Sequence, residues 1–142
     1  MEYRSGSHSR YDLKVHVVWI TKYRKKVLRG EISSWLRELL REICKANDVI
    51  IIKGHVSLDH IHLLLSFPPS IPVSKLLQYL KGKTSRRMLQ EYTELRKSFW
   101  GQHLWARGYF AATVGTITDE AVKEYIENQD IETRDDDFKI SE

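Results

Sequence analysis

The sequence predicts an α+β domain whose helices cover one face of an antiparallel sheet, in the order β-α-β-β-α-β, with an extra helix at the C-terminal end. Three observations lead there. Segments dense in β-branched and aromatic residues alternate with two stretches of helical apolar spacing, only Leu58-Asp59 separates the second and third β segments, and a last helical pattern follows the fourth. At 142 residues the chain has the length of one ordinary domain, enough to bury a core without disulfides or a structural metal. One domain over residues 1–142 is expected, with 1–10 and 130–142 as polar termini.

Taken in order, Tyr11 to Ile20 (Tyr-Asp-Leu-Lys-Val-His-Val-Val-Trp-Ile) favours a first strand, and the basic run Thr21 to Lys26 leaves it. Ile32, Trp35, Leu36, Leu39, Leu40, Ile43 and Cys44 then recur at the spacing of a helix with one buried face, which Asn47-Asp48 ends. Val49 to Ser57 reads as a second strand. The third, Asp59 to Phe67, is bounded by Pro68-Pro69, and the short link between the two implies an antiparallel hairpin. Val73, Leu76, Leu77, Leu80 and Met88 mark a second helix, with Pro72 suited to its start. Leu104 to Val114 is the fourth strand, and Thr118-Asp119-Glu120 opens a helix through about Asn128, its acidic residues at the positive end of the helix dipole. This is the split β-α-β arrangement of ferredoxin-like (RRM-like) folds, which leaves one face of the sheet available.

The net charge of +4 hides an asymmetry: residues 1–126 carry 21 Lys and Arg against 12 Asp and Glu, and residues 127–142 carry 2 against 7. A basic body suits a polyanionic partner. The single Cys44 excludes a disulfide framework and a cysteine zinc motif, and no apolar run is long enough for a signal core or a membrane span. A soluble cytoplasmic protein with no membrane partner is expected.

His60-Ile61-His62 lies on the third strand, where side chains at i and i+2 share a face, so both imidazoles converge there and can hold one divalent metal. Two half-buried strand histidines satisfied by neighbours would read the same way. On the last helix, Tyr125 and Gln129 are four residues apart and share a face. The Gln oxygen could complete a mixed nitrogen and oxygen set around magnesium or manganese, and the phenol would stand beside the substrate oxygen bound there. Val122, Tyr125 and Ile126 equally form an apolar stripe in which the tyrosine merely packs on the sheet.

His60-Ile61-His62 and Tyr125-Ile126-Glu127-Asn128-Gln129 resemble the His-hydrophobic-His and Tyr-x-x-x-Gln motifs of the single-tyrosine HUH transposases. These are the TnpA-type enzymes of the smallest bacterial and archaeal insertion sequences, with REP-associated tyrosine transposases as relatives. Trp19 to Arg24, Gly54 to His60, Leu80 to Ser85, and Leu104-Trp105 through Tyr109-Phe110 to Gly115 are similar to that family too, in family order across about residues 11 to 129. The resemblance implies cleavage and rejoining of single-stranded DNA at element ends: Tyr125 is the nucleophile, His60, His62 and Gln129 hold Mg2+ or Mn2+, and the intermediate is a 5′-phosphotyrosine. It implies recognition of DNA hairpins and a homodimer with composite active sites, for which Gly115 would serve as a hinge. No nucleotide cofactor is expected, since bond energy is stored in the enzyme-DNA ester and no phosphate-cradling glycine loop is present.

DNA contacts are expected from Lys22, Tyr23, Arg24, Lys25 and Lys26, and from Lys75, Tyr79, Lys81, Lys83, Arg86 and Arg87 of the second helix, with Gly82 permitting close backbone approach. Asp59 could orient an imidazole, though an acidic residue in a hairpin turn has an ordinary structural reason. Two other readings remain at this level: a domesticated HUH nickase acting on genomic hairpin repeats, and a ferredoxin-like single-stranded nucleic-acid binding module without catalysis.

Overall fold

The computed structural model describes residues 3–6, 8–100, 102–113 and 121–128. A short ribbon of β1 (Arg4–Ser5) and β2 (Arg10–Tyr11) precedes the sheet. The sheet itself holds β3 (Lys14–Ile20), β4 (Ile50–Val56), β5 (His60–Ser66) and β6 (Phe110–Thr113) in the order β4-β5-β3-β6, every neighbouring pair antiparallel. That is the ferredoxin-like order. Helix α1 (Gly30–Ala46) carries the chain from β3 past the position of β5, so the β4–β5 hairpin folds back into the gap.

Strand alternation sorts the side chains into two layers. On one face Val15, Val17 and Trp19 of β3 and Ile61, Leu63 and Leu65 of β5 form the main core with α1 and with α2 (Val73–Glu91). Leu36, Leu76, Leu77 and Leu80 are completely buried there. Each such side chain contributes about 1.5–3 kcal/mol over exposure. On the other face Val18 and Ile20 meet Val122 and Ile126 of a helix at 121–128, here α4, with Phe110 and Tyr125 packed against them. The sequence left this face available; α4 covers part of it.

The sheet departs from expectation at its ends. The first strand begins at Lys14 rather than Tyr11, because the residues ahead of it turn away into the ribbon. Arg4 secures that ribbon, donating to the Ser66 carbonyl at 3.1 Å and pairing with Asp48 at 2.9 Å. The fourth strand pairs regularly only at Phe110–Thr113; earlier, Trp105 makes an isolated bridge to Thr21. Between these contacts the chain bulges through Gly108, whose φ of 79° suits glycine. A short helix, α3 (Thr93–Ser98), burying Leu95, follows α2 where Tyr92 leaves helical geometry. The expected start of the last helix (Thr118 to Glu120), the proposed hinge Gly115 and the acidic tail lie outside the described residues. Among the described residues no helix is long and apolar enough to cross a membrane.

Candidate active site

The hairpin turn delivers His60 to the α4 face of the sheet beside a buried carboxylate. Asp59, 6% exposed, accepts a hydrogen bond from His60 Nδ1 at 2.9 Å and from Arg24 Nε at 3.1 Å. Arg24 reaches it from a left-handed kink, with φ of 61° at Tyr23 and 52° at Arg24, and the Asp59 carbonyl accepts from the Thr21 amide at 3.0 Å. Burial raises the Asp59 pKa, but the hydrogen bond from His60 and the charge of Arg24 outweigh it and hold the carboxyl below its ordinary value. An ionised carboxylate only accepts, so His60 Nδ1 carries the proton that bonds it, and Nε2 is the ring nitrogen that Asp59 leaves for another partner. The hydrogen bond to His60 fits the reading in which Asp59 orients an imidazole, and its place in the bend between β4 and β5 fits the other.

His62 is held differently. Its Nε2 lies 3.2 Å from Nδ1 of His16 on β3, the ring centroids 5.4 Å apart. Burial lowers the pKa of His16, which favours the neutral ring that such an N–H to N bond requires. His55 stands directly across from His62 on β4. Four histidines therefore share this face, of which the sequence reading singled out two; His16 sits 46 residues from its partner, and only strand pairing relates them.

Tyr125 reaches the same face from above. Val122 and Ile126 of α4 bury against Val18 and Ile20, and those two residues pair directly with His62 and His60. The half-buried phenol ring packs on Phe110 with centroids 5.6 Å apart. Tyr125 thus belongs to the apolar stripe and also lies over the histidine side of the sheet. Gln129 lies outside the described residues. Among the described residues no group of three His, Cys, Asp or Glu could hold a metal ion.

The basic residues divide into two sets. Lys22, Tyr23, Arg24, Lys25 and Lys26 follow β3 next to the hairpin turn: Lys22 stacks over the half-exposed Tyr23 ring at 5.5 Å, Lys26 is exposed, and Lys25 donates to the Ser98 carbonyl and covers Phe99. The α2 set lies in the layer away from the histidines. There Lys75 and Arg86 are exposed, Lys83 stacks over Tyr79 at 5.5 Å, and Arg87 stacks over Trp35 and pairs with Glu42 at 3.4 Å. Lys81 turns inward, donating to the carbonyls of Ala106 at 2.9 Å and Gly108 at 2.6 Å, and burial pushes its pKa down to about 8. It holds the bulge ahead of β6.

The α+β fold with its four-stranded antiparallel sheet agrees with what known proteins show. The chain belongs to the IS200-like transposase family, which it matches over residues 9–129. Within it the chain is of the TnpA type: it is 37% identical over 129 residues to the ISDra2 transposase TnpA of Deinococcus radiodurans, covering 91% of this chain and 92% of that one. It is 35% identical over 126 residues to the transposase for insertion sequence element IS200 of Salmonella typhimurium, covering 89% and 82%. A crystal structure of a candidate transposase from Deinococcus radiodurans R1 superposes with a TM-score of 0.82 at 35% identity, over 89% of this chain and 97% of that one. A REP-associated tyrosine transposase bound to a REP hairpin shares the fold, with a TM-score of 0.54 at 11% identity over 87% and 70%.

Proposed function

We propose that this transposase cuts and rejoins single-stranded DNA through Tyr125, on the face that carries His60 and His62. The observation that supports this is the seating of α4: Val122 and Ile126 rest on the residues paired with the two histidines, so the phenol one helical turn from Val122 overlies the histidine side. His60 presents Nε2 because Asp59 occupies Nδ1. His60 and His62, with Gln129 as third donor, fit Mg2+ or Mn2+. Such an ion would draw charge from a non-bridging oxygen of the scissile phosphate as the transition state becomes more negative.

The step balances on the chain's own nucleophile. Tyr125 Oη bonds to phosphorus in line with the leaving 3′-oxygen, the P–O3′ bond breaks, and the 3′-oxygen takes up a proton while the phenol gives one up. The product is a 5′-phosphotyrosine and a free 3′-hydroxyl. Attack by another 3′-hydroxyl reverses the chemistry and joins strands, so no nucleotide is consumed. The substrate is a single strand bearing a hairpin at the element end, and the working unit is a homodimer. The exposed Tyr23 with Lys22 and Lys26 beside the hairpin turn offers a stacking ring and phosphate partners for that strand.

The test is adduct formation. With Mn2+ and a single-stranded hairpin oligonucleotide, wild type gives a covalent protein-DNA species on a denaturing gel, and Tyr125→Phe gives none. An adduct of undiminished yield from Y125F refutes the nucleophile; absence of any adduct from wild type favours a binding module without catalysis.

A further inference from the structure

An indole stands almost bare where β3 runs out of the sheet. Trp100 is 84% exposed, the most exposed large apolar side chain among the described residues, whereas Trp19 and Trp105 are buried and Trp35 packs on the core. The backbone holds it out. Buried Phe99 anchors the turn on one side, and on the other the Gln102 amide donates to the Phe99 carbonyl at 3.2 Å. Trp100 follows Phe99 at φ of 56°, a left-handed conformation that a residue with a side chain adopts at a cost. So exposed a ring gains too little burial to offset that cost, and packing does not account for it.

A second ring repeats the arrangement on the neighbouring loop. Tyr23 is 50% exposed at φ of 61°, and the two loops are tied together. Lys25 donates to the Ser98 carbonyl and covers the Phe99 ring at 5.2 Å, and the Lys22 amide donates to the Leu104 carbonyl at 2.8 Å. The charge around both rings has one sign. Residues 13–30 hold six Lys and Arg and no acid, and residues 95–118 hold three and no acid. Asp59, which the first loop reaches through Arg24, is already engaged by Arg24 and His60. Cations with interleaved aromatic faces suit a strand that carries phosphates and unpaired bases. An acidic peptide would answer the charge and leave the rings idle, and a duplex keeps its bases stacked on one another.

We infer that Trp100, with Tyr23, forms a stacking platform for unpaired bases of a single DNA strand whose phosphates follow the two basic loops. The platform rests on the reading of the chain as a processor of single-stranded DNA, and it adds Trp100 to the residues that hold the strand. The kink that exposes Tyr23 also sends Arg24 to Asp59, which bonds His60, so a base stacked here lies on the loop that braces the histidine site. Every base has a π-face, so the platform grips the strand without reading its sequence.

The probe is a hairpin-free 12-nucleotide oligothymidylate, followed by fluorescence anisotropy of the labelled strand and by tryptophan emission of the protein. Stacking of one base on one ring corresponds to about 5–150-fold in affinity, so Trp100→Ala weakens binding within that range. Trp100→Phe, which keeps a ring, loses less, and neither variant changes the slope of log K on log salt, because no phosphate contact is removed. The oligonucleotide quenches tryptophan emission in wild type, and most of that quenching is gone in W100F. Thermal unfolding of W100A matches wild type, since the exposed ring supports no packing. Oligonucleotide affinity of W100A equal to wild type, or undiminished quenching in W100F, overturns the platform. If W100A keeps its affinity but sediments as a smaller species than wild type, the indole is a contact between two copies of the chain and the DNA assignment is overturned. Tyr125-dependent adduct formation on a hairpin oligonucleotide separates the two failures: adduct from wild type with unchanged W100A affinity sinks only the platform, whereas no adduct from wild type sinks the underlying reading.

Discussion

Replacing Asp59 by Asn keeps the shape of the side chain and removes its charge, and the result separates a residue that orients His60 from one that merely closes a turn. The carboxylate accepts from two sides, His60 Nδ1 at 2.9 Å and Arg24 at 3.1 Å. Asn has one carbonyl oxygen and one NH2, so one of those donors must face another N–H. A hydrogen bond to a charged group contributes about 1.5–3 kcal/mol, and the Arg24 side chain keeps 24% exposure, so water recovers part of its share. A loss of about 2 kcal/mol follows, or a fall in Tm of roughly 4–8 °C. The orienting role adds a separate signature: Mn2+ affinity measured by calorimetry drops about 10–100-fold in D59N, about 1.4–2.8 kcal/mol. A variant that loses stability yet binds Mn2+ like wild type would refute the orientation argument. The pH dependence has a defined direction too. Because the folded carboxyl titrates below its ordinary 3.8, the unfolded chain takes up the proton first as pH falls, so this stabilisation is full above that value and disappears below it. The Tm gap between wild type and D59N therefore closes in acid.

Trp105→Phe removes the indole donor that reaches the fully buried Thr84 hydroxyl at 2.9 Å and the edge-on contact with Trp19; urea unfolding should show a loss of about 1–2 kcal/mol, and an unchanged midpoint would contradict it. Gly82→Ala places a methyl in open space on α2, so it should raise stability by about 0.5–1 kcal/mol in the same assay; if it also weakens oligonucleotide binding, the backbone approach expected of Gly82 is supported. Lys81 titrates near 8 when folded and near 10.5 when unfolded, so the unfolded chain binds the extra proton between these values and wild-type stability rises with pH there. The Tm gap between wild type and Lys81→Met should accordingly widen from pH 8 to 10, and a constant gap would count against a buried ammonium.

The order of elements was legible because each carries its own period. Val15, Val17 and Trp19 alternate as a strand must, and Leu36, Leu39, Leu40 and Ile43 recur as a helix must. Strand ends were not, since they are set by contacts distant in sequence: Arg4 on Ser66 and Asp48 draws the chain ahead of Lys14 into a ribbon, and Lys81 on Ala106 and Gly108 breaks the pairing between Trp105 and Phe110. The site divides in the same way. His60 and His62 are two residues apart, and their shared face follows from strand geometry alone. Arg24 lies 35 residues from Asp59, and His16 lies 46 from His62, and no local pattern relates either pair. A positive φ at two successive non-glycine residues, Tyr23 and Arg24, also has no signature in composition. Tyr125 showed the converse: the stripe of Val122, Tyr125 and Ile126, legible in the sequence, is what docks α4 on Val18 and Ile20, on the face of the sheet that carries the histidines.

Mass spectrometry of the covalent species tests the central claim most directly. Wild-type protein is reacted with a hairpin oligonucleotide labelled differently at its two ends, trimmed with nuclease, and sequenced as peptides. The account predicts one modified residue, Tyr125, joined to the 5′-phosphate of the fragment downstream of the cut. A nucleotide on Tyr23 or any other side chain, or a link through the 3′ end, would contradict it.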